Sequence, residues 1–249
     1  MGGAQRKVLF VLVLIVGWAA ASRFAHNYLF PGPAEVIEAL ARVARRGELL
    51  RALLKTTARL LAGYSASLVG GVALGVTLAR VRTLRDTLGV LVLGLQAIPS
   101  VCWMPVALLA FGLNERAIFS VVVLGSMLSV SIATESAVRN VAPIILRAAS
   151  TMGAKGATLW LRVILPAAMP GIVSGARLGW TFAWRSLMAA ELLFVSGGLG
   201  QVLEQGRELY DMAQVLGVVL VIVCFGLASE QLLFGRIEDR MRRRWGIER

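Results

Sequence analysis

Charged side chains inside an otherwise apolar run are the clearest candidates for chemistry in this sequence. Residues Ala167–Val195 are apolar except for Arg177, Arg185 and Glu191. A charge at mid-membrane costs about 2.5–3.5 kcal/mol on insertion scales, so such side chains normally face protein or water. Arg185 is therefore a candidate for attracting an anionic solute in a translocation pathway. The alternative is that Arg177 lies near the membrane surface while Arg185 and Glu191 satisfy contacts between helices.

The pathway hypothesis extends to neighbouring positions and to an earlier apolar run. At 100° per residue, the side chains at 177, 184, 188 and 191 fall within about 40° of one line, and Arg185 lies about 80° from it. In the earlier run, Gln96 and Pro99 predict a kinked, partly polar helix. Lining a pathway and simple packing both remain open for that helix. The candidate pathway set is Gln96, Pro99, Trp184, Arg185, Met188 and Glu191.

The residue sets that other chemistry requires are absent from the sequence. His26 is the only histidine, and Cys102 and Cys224 stand far apart in apolar runs, which is typical of small buried hydrophobes. There is no G-x-x-x-x-G-K-[ST] phosphate loop, no Ser-His-Asp set and no pair of catalytic carboxylates. We therefore expect no enzyme activity, no metal and no cofactor in this chain.

The elements that must position these residues are membrane helices, as the composition indicates. Of 249 residues, 57% are hydrophobic and 16% are charged, and the formal net charge is +12. So apolar a chain must bury much of its side-chain surface in lipid or in other helices. A basic excess can indicate nucleic acid binding. Here the basic residues mostly flank apolar runs, which is typical of the cytoplasmic face of a membrane, and no nucleic acid partner is expected.

Six apolar runs are long enough, or nearly so, to cross the ~30 Å hydrocarbon core. They are Val8–Ser22, Leu60–Ala79, Thr87–Asn114, Ala117–Thr134, Ala167–Val195 and Met212–Ser229. The sequence therefore predicts an all-α membrane protein with about six transmembrane helices. The first run is the least secure, because Arg6 and Lys7 before it also fit a cleavable signal peptide. In the second, Gly71 and Gly75 form a G-x-x-x-G pattern that predicts close helix contact.

Basic residues in the short loops predict that both termini are cytoplasmic. Residues 23–59 fit this orientation badly, because they would lie outside and yet contain several arginines and a lysine. We interpret Pro33–Arg46 as an amphipathic helix on the outer interface, with Val36, Leu40 and Val43 on one face.

The connection from about Glu135 to Pro166 contains a helical pattern of its own. Apolar residues recur there at i, i+1, i+4, i+5 and i+8, which forms a single stripe on a short helix. The stripe consists of Ile144, Ile145, Ala148, Ala149 and Met152. A partner protein is the natural cover for such a stripe.

This connection resembles the EAA loop of ATP-binding-cassette importer permeases, which reads E-A-A, three residues, G, nine residues, I-x-L-P. The spacing matches throughout, with Arg147 in place of Glu and Val163 in place of Ile. We expect Gly153 to take a positive φ and end the short helix, and Pro166 to begin the next membrane helix. The predicted coupling residues are Ile144, Ile145, Arg147, Ala148, Ala149, Met152, Gly153, Ala154, Lys155, Leu165 and Pro166.

Further short motifs are similar, in order and spacing, to permeases of the nitrate/sulfonate/taurine importer family over nearly the full length. They are Leu29–Pro33, Ala97–Pro99, Trp103–Pro105, Phe111–Leu113, Trp184–Glu191 and Gly198–Gly200. The resemblance implies the type I ATP-binding-cassette importer permease (MetI-like) fold. Residues 1–52 then hold the first helix and the outer amphipathic helix, and 53–235 the transmembrane domain with a coupling loop at 135–166. Residues 236–249 form a basic cytoplasmic tail, whose arginines favour anionic lipid headgroups over direct contact with an ATPase.

The resemblance also implies a machine with several subunits in the bacterial inner membrane. A second permease copy, two ATPase subunits that bind ATP and Mg, and a periplasmic or lipid-anchored substrate-binding protein would work by alternating access. The solute would be small and anionic, of sulfonate, taurine or nitrate type. A vitamin-related or pyrimidine compound is the alternative within this class. An ATPase-independent secondary transporter is the alternative outside it.

Overall fold

The computed structural model describes residues 3–25, 30–194 and 197–245, and all regular structure among them is helical. The helices are α1 Gly3–Ala25, α2 Pro33–Arg45, α3 Glu48–Arg80, α4 Arg82–Gln96, α5 Ser100–Phe111, α6 Glu115–Arg139, α7 Pro143–Thr151, α8 Gly156–Leu193, α9 Leu199–Glu208, α10 Met212–Gly235 and α11 Arg236–Trp245. The predicted all-α class is confirmed. His26, Leu29 and Val195, which enter the sequence argument, lie outside the described residues.

The helices with membrane-spanning length agree closely with the apolar runs. Among the described residues, α3, α6, α8 and α10 are each long and apolar enough to cross a membrane. The pair α4 and α5 supplies a fifth span if it is counted as one, and α1 contains the shorter apolar stretch Val8–Phe24. The prediction of about six helices thus corresponds to four full spans, one bent pair and one shorter apolar helix.

The run Thr87–Asn114 does not form the single kinked helix that was predicted. It forms two helices, α4 and α5, that are bent by 96° with respect to each other. Pro99 stands at the break with φ −54° and ψ 135°, which is an extended conformation. A proline has no N–H to continue the hydrogen-bond ladder, and it disfavours the helical conformation of the residue before it. The chain therefore breaks at this point and does not merely bend.

The chain divides into two compact units. The first consists of Met1–Thr56 and Val195–Phe225, and the second of Thr57–Phe194 and Gly226–Arg249. Helices α4 to α8 belong to the second unit, which also contains most of α3. The second unit therefore holds all of the predicted coupling and pathway residues.

In the first unit, the predicted amphipathic helix is present as α2, which ends one residue earlier than expected. The backbone N–H of Gly32 donates a hydrogen bond to the Glu35 carboxylate at 3.1 Å, which caps the first turn. Leu40 lies against Gly217 of α10. A Cβ added to Gly217 would come within 2.7 Å of Leu40 Cγ. The buried residues of α2 are Val36, Ala39 and Val43.

In the second unit, α3 and α6 approach closely through the two glycines of the G-x-x-x-G pattern. A Cβ on Gly71 would lie 2.8 Å from the carbonyl oxygen of Met127, and one on Gly75 would lie 2.4 Å from that of Ser131. Such contacts are too short for any side chain, so the predicted close helix contact is confirmed.

We expect Gly75→Ala to lower the free energy of unfolding by about 1–3 kcal/mol, because the added methyl group would collide with backbone that must then move. The melting temperature of the purified full-length protein measures this. Gly94→Ala is the matched control, because nothing lies within 4 Å of a Cβ at that position of α4. Equal melting temperatures for the two variants would contradict the close contact.

Candidate functional site

The short helix α7 ends where its sequence predicts. Pro143 occupies its first turn, where a missing N–H costs nothing. At its end, Gly153 has a φ of +85°. The N–H of Ala154 donates to the carbonyl of Ala149 at 2.9 Å, and the N–H of Gly153 donates to that of Ser150 at 3.0 Å. These two bonds form a Schellman motif, so the predicted role of Gly153 in ending the helix is confirmed.

The apolar stripe of α7 is divided between two environments. Ile144 is 70% exposed and Met152 is 88% exposed, and Ala148 is exposed as well. Ala149 is only 9% exposed and packs within its own chain, so the prediction that it belongs to the partner-facing stripe is wrong. Ile145, at 39%, lies at the boundary. The face open to a partner is therefore formed by Ile144, Ala148 and Met152.

Two basic residues flank this face. Arg147 and Lys155 are both exposed, and neither forms an ion pair with another described residue. Arg147 occupies the position at which the EAA pattern has Glu. Helix α7 would therefore present a positive charge to a partner at that position. An acidic group on the partner would complement it.

The membrane helix after α7 begins earlier than predicted. Helix α8 runs without interruption from Gly156, so Pro166 lies inside it and not at its start. Residues Trp160–Ile164 form a π-helical turn, and the N–H of Leu165 donates to the carbonyl of Trp160, five residues back. Proline inside an α-helix normally leaves a carbonyl without its donor. The π-helical turn shifts the bonding register just before Pro166, which lets the helix continue through it.

A cavity of about 320 Å³ lies within the second unit at the break between α4 and α5. Gln96, Pro99 and Arg185, three of the six predicted pathway residues, line it together. The other three do not line it. Trp184 lies against Gly226 of α10. A Cβ added to Gly226 would come within 2.8 Å of the indole nitrogen of Trp184. Met188 is half-buried, and Glu191 is buried.

The surroundings of Arg185 differ from those of Arg177, which lies about two helical turns earlier in α8. Arg185 is exposed, and no hydrogen bond or ion pair joins it to another described residue. Arg177 by contrast donates from Nε to Glu230 Oε1 of α10 at 2.7 Å. On the cavity wall, Gln96 Nε2 donates to Ser129 Oγ at 3.2 Å. The cavity thus combines an unpaired positive charge with a few polar side chains, an arrangement that can attract and hold an anion.

A larger depression, of about 560 Å³, lies beside α7 between α6 and α8. None of its described lining residues is charged, and most are small, such as Ala137, Gly171 and Gly175. A surface of this kind suits packing against another helix better than it suits an ionic solute. The smaller cavity, which is lined by Arg185 and several polar side chains, is the better candidate for binding an ion.

Glu191 belongs to an ion network that the sequence argument missed. Arg59 of α3 donates from Nη1 to Glu191 at 2.7 Å, and from Nε and Nη2 to Glu115 of α6 at 2.7 and 2.5 Å. The side chains of Glu191 and Arg59 are 0% and 9% exposed, whereas that of Glu115 is 57% exposed. The network joins α3, α6 and α8.

The sequence contains a signal for this network, but it was interpreted as a conflict with the membrane orientation. Arg59 and Glu115 each stand at the edge of an apolar run, and Arg59 was counted among the basic residues of segment 23–59 that fit the orientation badly. Another of these, Arg42, pairs with Asp211 at 2.9 Å in the first unit. Arg59 and Arg42 are thus both paired with carboxylates. These pairs account for two of the basic residues that conflict with the predicted membrane orientation.

Comparisons with known proteins agree with this architecture. A family model described as "Binding-protein-dependent transport system inner membrane component" matches residues 71–243. A probable ABC transporter permease protein of Brucella melitensis is 30% identical over 243 residues, which is 98% of each chain. The taurine transport system permease protein of Escherichia coli is 27% identical and covers 88% of this chain and 82% of its own. The nitrate import permease protein of Synechocystis is 24% identical over 69% of this chain and 61% of its own.

Solved structures share the fold. A structure of the MetNI methionine ABC transporter in an inward-facing conformation matches with a TM-score of 0.69 at 22% identity. The match covers 79% of this chain and 97% of that one. At this level of identity the likeness concerns the fold alone.

Proposed function

The chain belongs to the family of inner membrane components of binding-protein-dependent transport systems, the permeases of ABC importers, and from this membership we propose a specific role. It forms the pathway for a small anionic solute, of sulfonate, taurine or nitrate type, by alternating access. Separate ATPase subunits drive the cycle. A second permease copy, two ATPases and a periplasmic or lipid-anchored binding protein complete the machine in the inner membrane, with both chain termini in the cytoplasm.

The observation that carries ATPase coupling is the exposed apolar face of α7. Ile144 and Met152 project from a short helix that is firmly ended at Gly153. A compact apolar face on a rigid element outside the spans is a docking surface, because exposing it to water is unfavourable. These residues contain no phosphate loop, and we assign ATP binding to a separate partner subunit, as in the ABC importer family.

The anionic character of the solute is supported by two independent observations. The relatives named above include a taurine and a nitrate permease. In this chain, Arg185 is exposed and lines the cavity together with Gln96 and Pro99. The proposed pathway therefore narrows to these three residues, and Trp184, Met188 and Glu191 support the helices around it.

The test is solute uptake into proteoliposomes that contain the full-length permease, its cassette ATPase and its binding protein. We expect uptake of at least one probe among taurine, an alkanesulfonate and nitrate, and we expect it to require ATP hydrolysis. A preparation whose ATPase is catalytically inactive serves as the control. Uptake of equal rate without the ATPase would show a secondary transporter and overturn the proposal.

Within that assay, Arg185→Ala is expected to reduce anion uptake at least about tenfold, because a hydrogen bond to a charged group contributes about 1.5–3 kcal/mol. Arg116→Ala is the matched control, since Arg116 is also exposed and does not line the cavity. Both variants should melt at the temperature of the unaltered protein. Unchanged uptake by Arg185→Ala in a normally assembled complex would remove Arg185 from the pathway.

A further inference from the structure

The charge that lines the cavity at the break between α4 and α5 is positive. Among the described residues that line it, Arg185 is the only charged one, so no lining carboxylate stands opposite the guanidinium. Its polar lining residues are Gln96, Ser100 and Ser129. An anionic head group can therefore bind at Arg185, but a cationic group on the same solute would find no counter-charge in this cavity.

The rest of the cavity wall is apolar. It includes aliphatic and aromatic side chains from α4, α5, α6 and α8, together with the loop at the break. They are Leu95, Ile98, Val101, Trp103, Leu124, Leu128 and Phe182. Phe182 precedes Arg185 by one helical turn, so an aromatic ring and the guanidinium adjoin on one face of α8. An apolar group attached to the bound anion would lie against this wall.

The volume of the cavity also bears on the size of the ligand. A water molecule has a share of about 30 Å³ in the liquid, so a cavity of about 320 Å³ has room for several non-hydrogen atoms beyond a head group. A bare inorganic oxyanion would fill only a small part of it and leave the apolar wall in contact with water. An organic anion with a short tail would cover that wall and gain from doing so.

We propose that this cavity is a binding subsite in the permease chain itself for an organic monoanion with an apolar tail, with the head group on Arg185 and the tail against Phe182 and its neighbours. The inference rests on the proposed function and deepens it. The permease then selects among anions independently of the binding protein. It favours alkanesulfonates or alkanecarboxylates over zwitterions such as taurine and over small inorganic ions such as nitrate.

Equilibrium binding to the full-length permease in nanodiscs, without ATPase or binding protein, tests this directly. Propane-1-sulfonate and taurine form the decisive pair, because a methyl group in the first takes the place of the ammonium group in the second. We expect propane-1-sulfonate to bind at least about tenfold more tightly than taurine, which must leave its ammonium group without a partner. From methanesulfonate to butanesulfonate, each added methylene should tighten binding about fourfold.

Two variants identify the site. Arg185→Gln should abolish binding of propane-1-sulfonate, and Phe182→Ala should flatten the dependence on chain length while retaining binding of methanesulfonate. Arg116→Gln, at an exposed position that does not line the cavity, should change neither. Taurine or nitrate binding as tightly as propane-1-sulfonate would overturn the inference. So would binding that survives Arg185→Gln.

The outcomes also separate this inference from the proposed function. If the complete importer takes up an anion with ATP while the isolated permease shows no binding that depends on Arg185, the subsite is absent and the proposed function stands. If the isolated permease binds alkanesulfonates through Arg185 but the reconstituted system shows no ATP-dependent uptake, the subsite stands and the proposed function fails.

Discussion

Replacing Arg59 with methionine is expected to lower the free energy of unfolding by about 3–5 kcal/mol, the cost of breaking a buried ion pair by removing one partner. The carboxylate of Glu191 is 0% exposed and would lose the guanidinium that now lies 2.7 Å away. Glu115 is 57% exposed, so water can solvate it after the change. The melting temperature of the purified full-length chain measures the effect.

A matched control and a rescue make the result specific. Arg42→Met removes an ion pair whose side chains are 57% and 29% exposed, and pairs of that kind contribute about 0–1 kcal/mol. The double variant Arg59→Met, Glu191→Leu should recover most of the lost stability, because an apolar pair can replace a buried ionic one. If Arg59→Met melted at the same temperature as Arg42→Met, the network would contribute little to stability.

The network also matters for the cavity, because it fixes the helix that carries Arg185. Arg185 lies about 9 Å from Glu191 along the axis of α8, since each helical residue rises about 1.5 Å. Arg59 ties Glu191 to α3 and also holds the start of α6 through Glu115. Loosening this tie would let α8 shift along its axis, so Arg59→Met should weaken anion binding at Arg185 as well as stability.

Placing a glutamate at Met152 is expected to weaken association with the cassette ATPase at least about 30-fold, which corresponds to the loss of one strong interface contact of about 2 kcal/mol. Met152 is 88% exposed, so the change should leave the fold of the permease intact. In the complex, however, a carboxylate would replace an apolar side chain and be removed from water. Affinity between the detergent-solubilised permease and its ATPase measures this, and ATP-dependent uptake should fall in parallel.

Ser150→Glu is the matched control for Met152→Glu. Ser150 lies in the last turn of α7, two residues before Met152, and is exposed, so the added charge meets nearly the same helix end. At 100° per residue it points about 160° away from Met152, outside the apolar face. Ala149 would be a poor choice, because it is buried within its own chain and a large substitution there would disturb the permease itself. If both glutamates weakened the complex equally, the apolar face would not be the docking surface.

Much of the fold follows from local physics and could be predicted. Apolar runs of sufficient length must form helices in lipid, since no water is available to satisfy an open backbone. The position of α7 followed from its 3.6-residue period, and its end at Gly153 followed from the need for a positive φ. The close contact at Gly71 and Gly75 followed from their lack of side chains.

The predictions that were wrong concern features that depend on the conformation of adjacent residues or on packing against other parts of the chain. Pro166 was expected to begin a helix, but a π-helical turn at Trp160–Ile164 changes the bonding register and lets α8 pass through it. Ala149 was grouped with the exposed stripe because periodicity assigns residues to a face without saying what covers that face. The 96° bend at Pro99 exceeds a kink because the chain there leaves the helical conformation altogether.

The sequence by itself determined that this is an all-α membrane protein with a short, exposed amphipathic helix between two of its spans, because transfer free energy, periodicity and helix capping all act over neighbouring residues. Only the tertiary structure decided which charges are paired. Arg59 and Arg185 both adjoin or interrupt apolar runs and look alike in sequence, yet Arg59 binds Glu191, 132 positions away. Arg185 instead faces a cavity and no described carboxylate. The difference arises because a charge is compensated by whatever helix packs opposite it, and that arrangement is not encoded in local spacing.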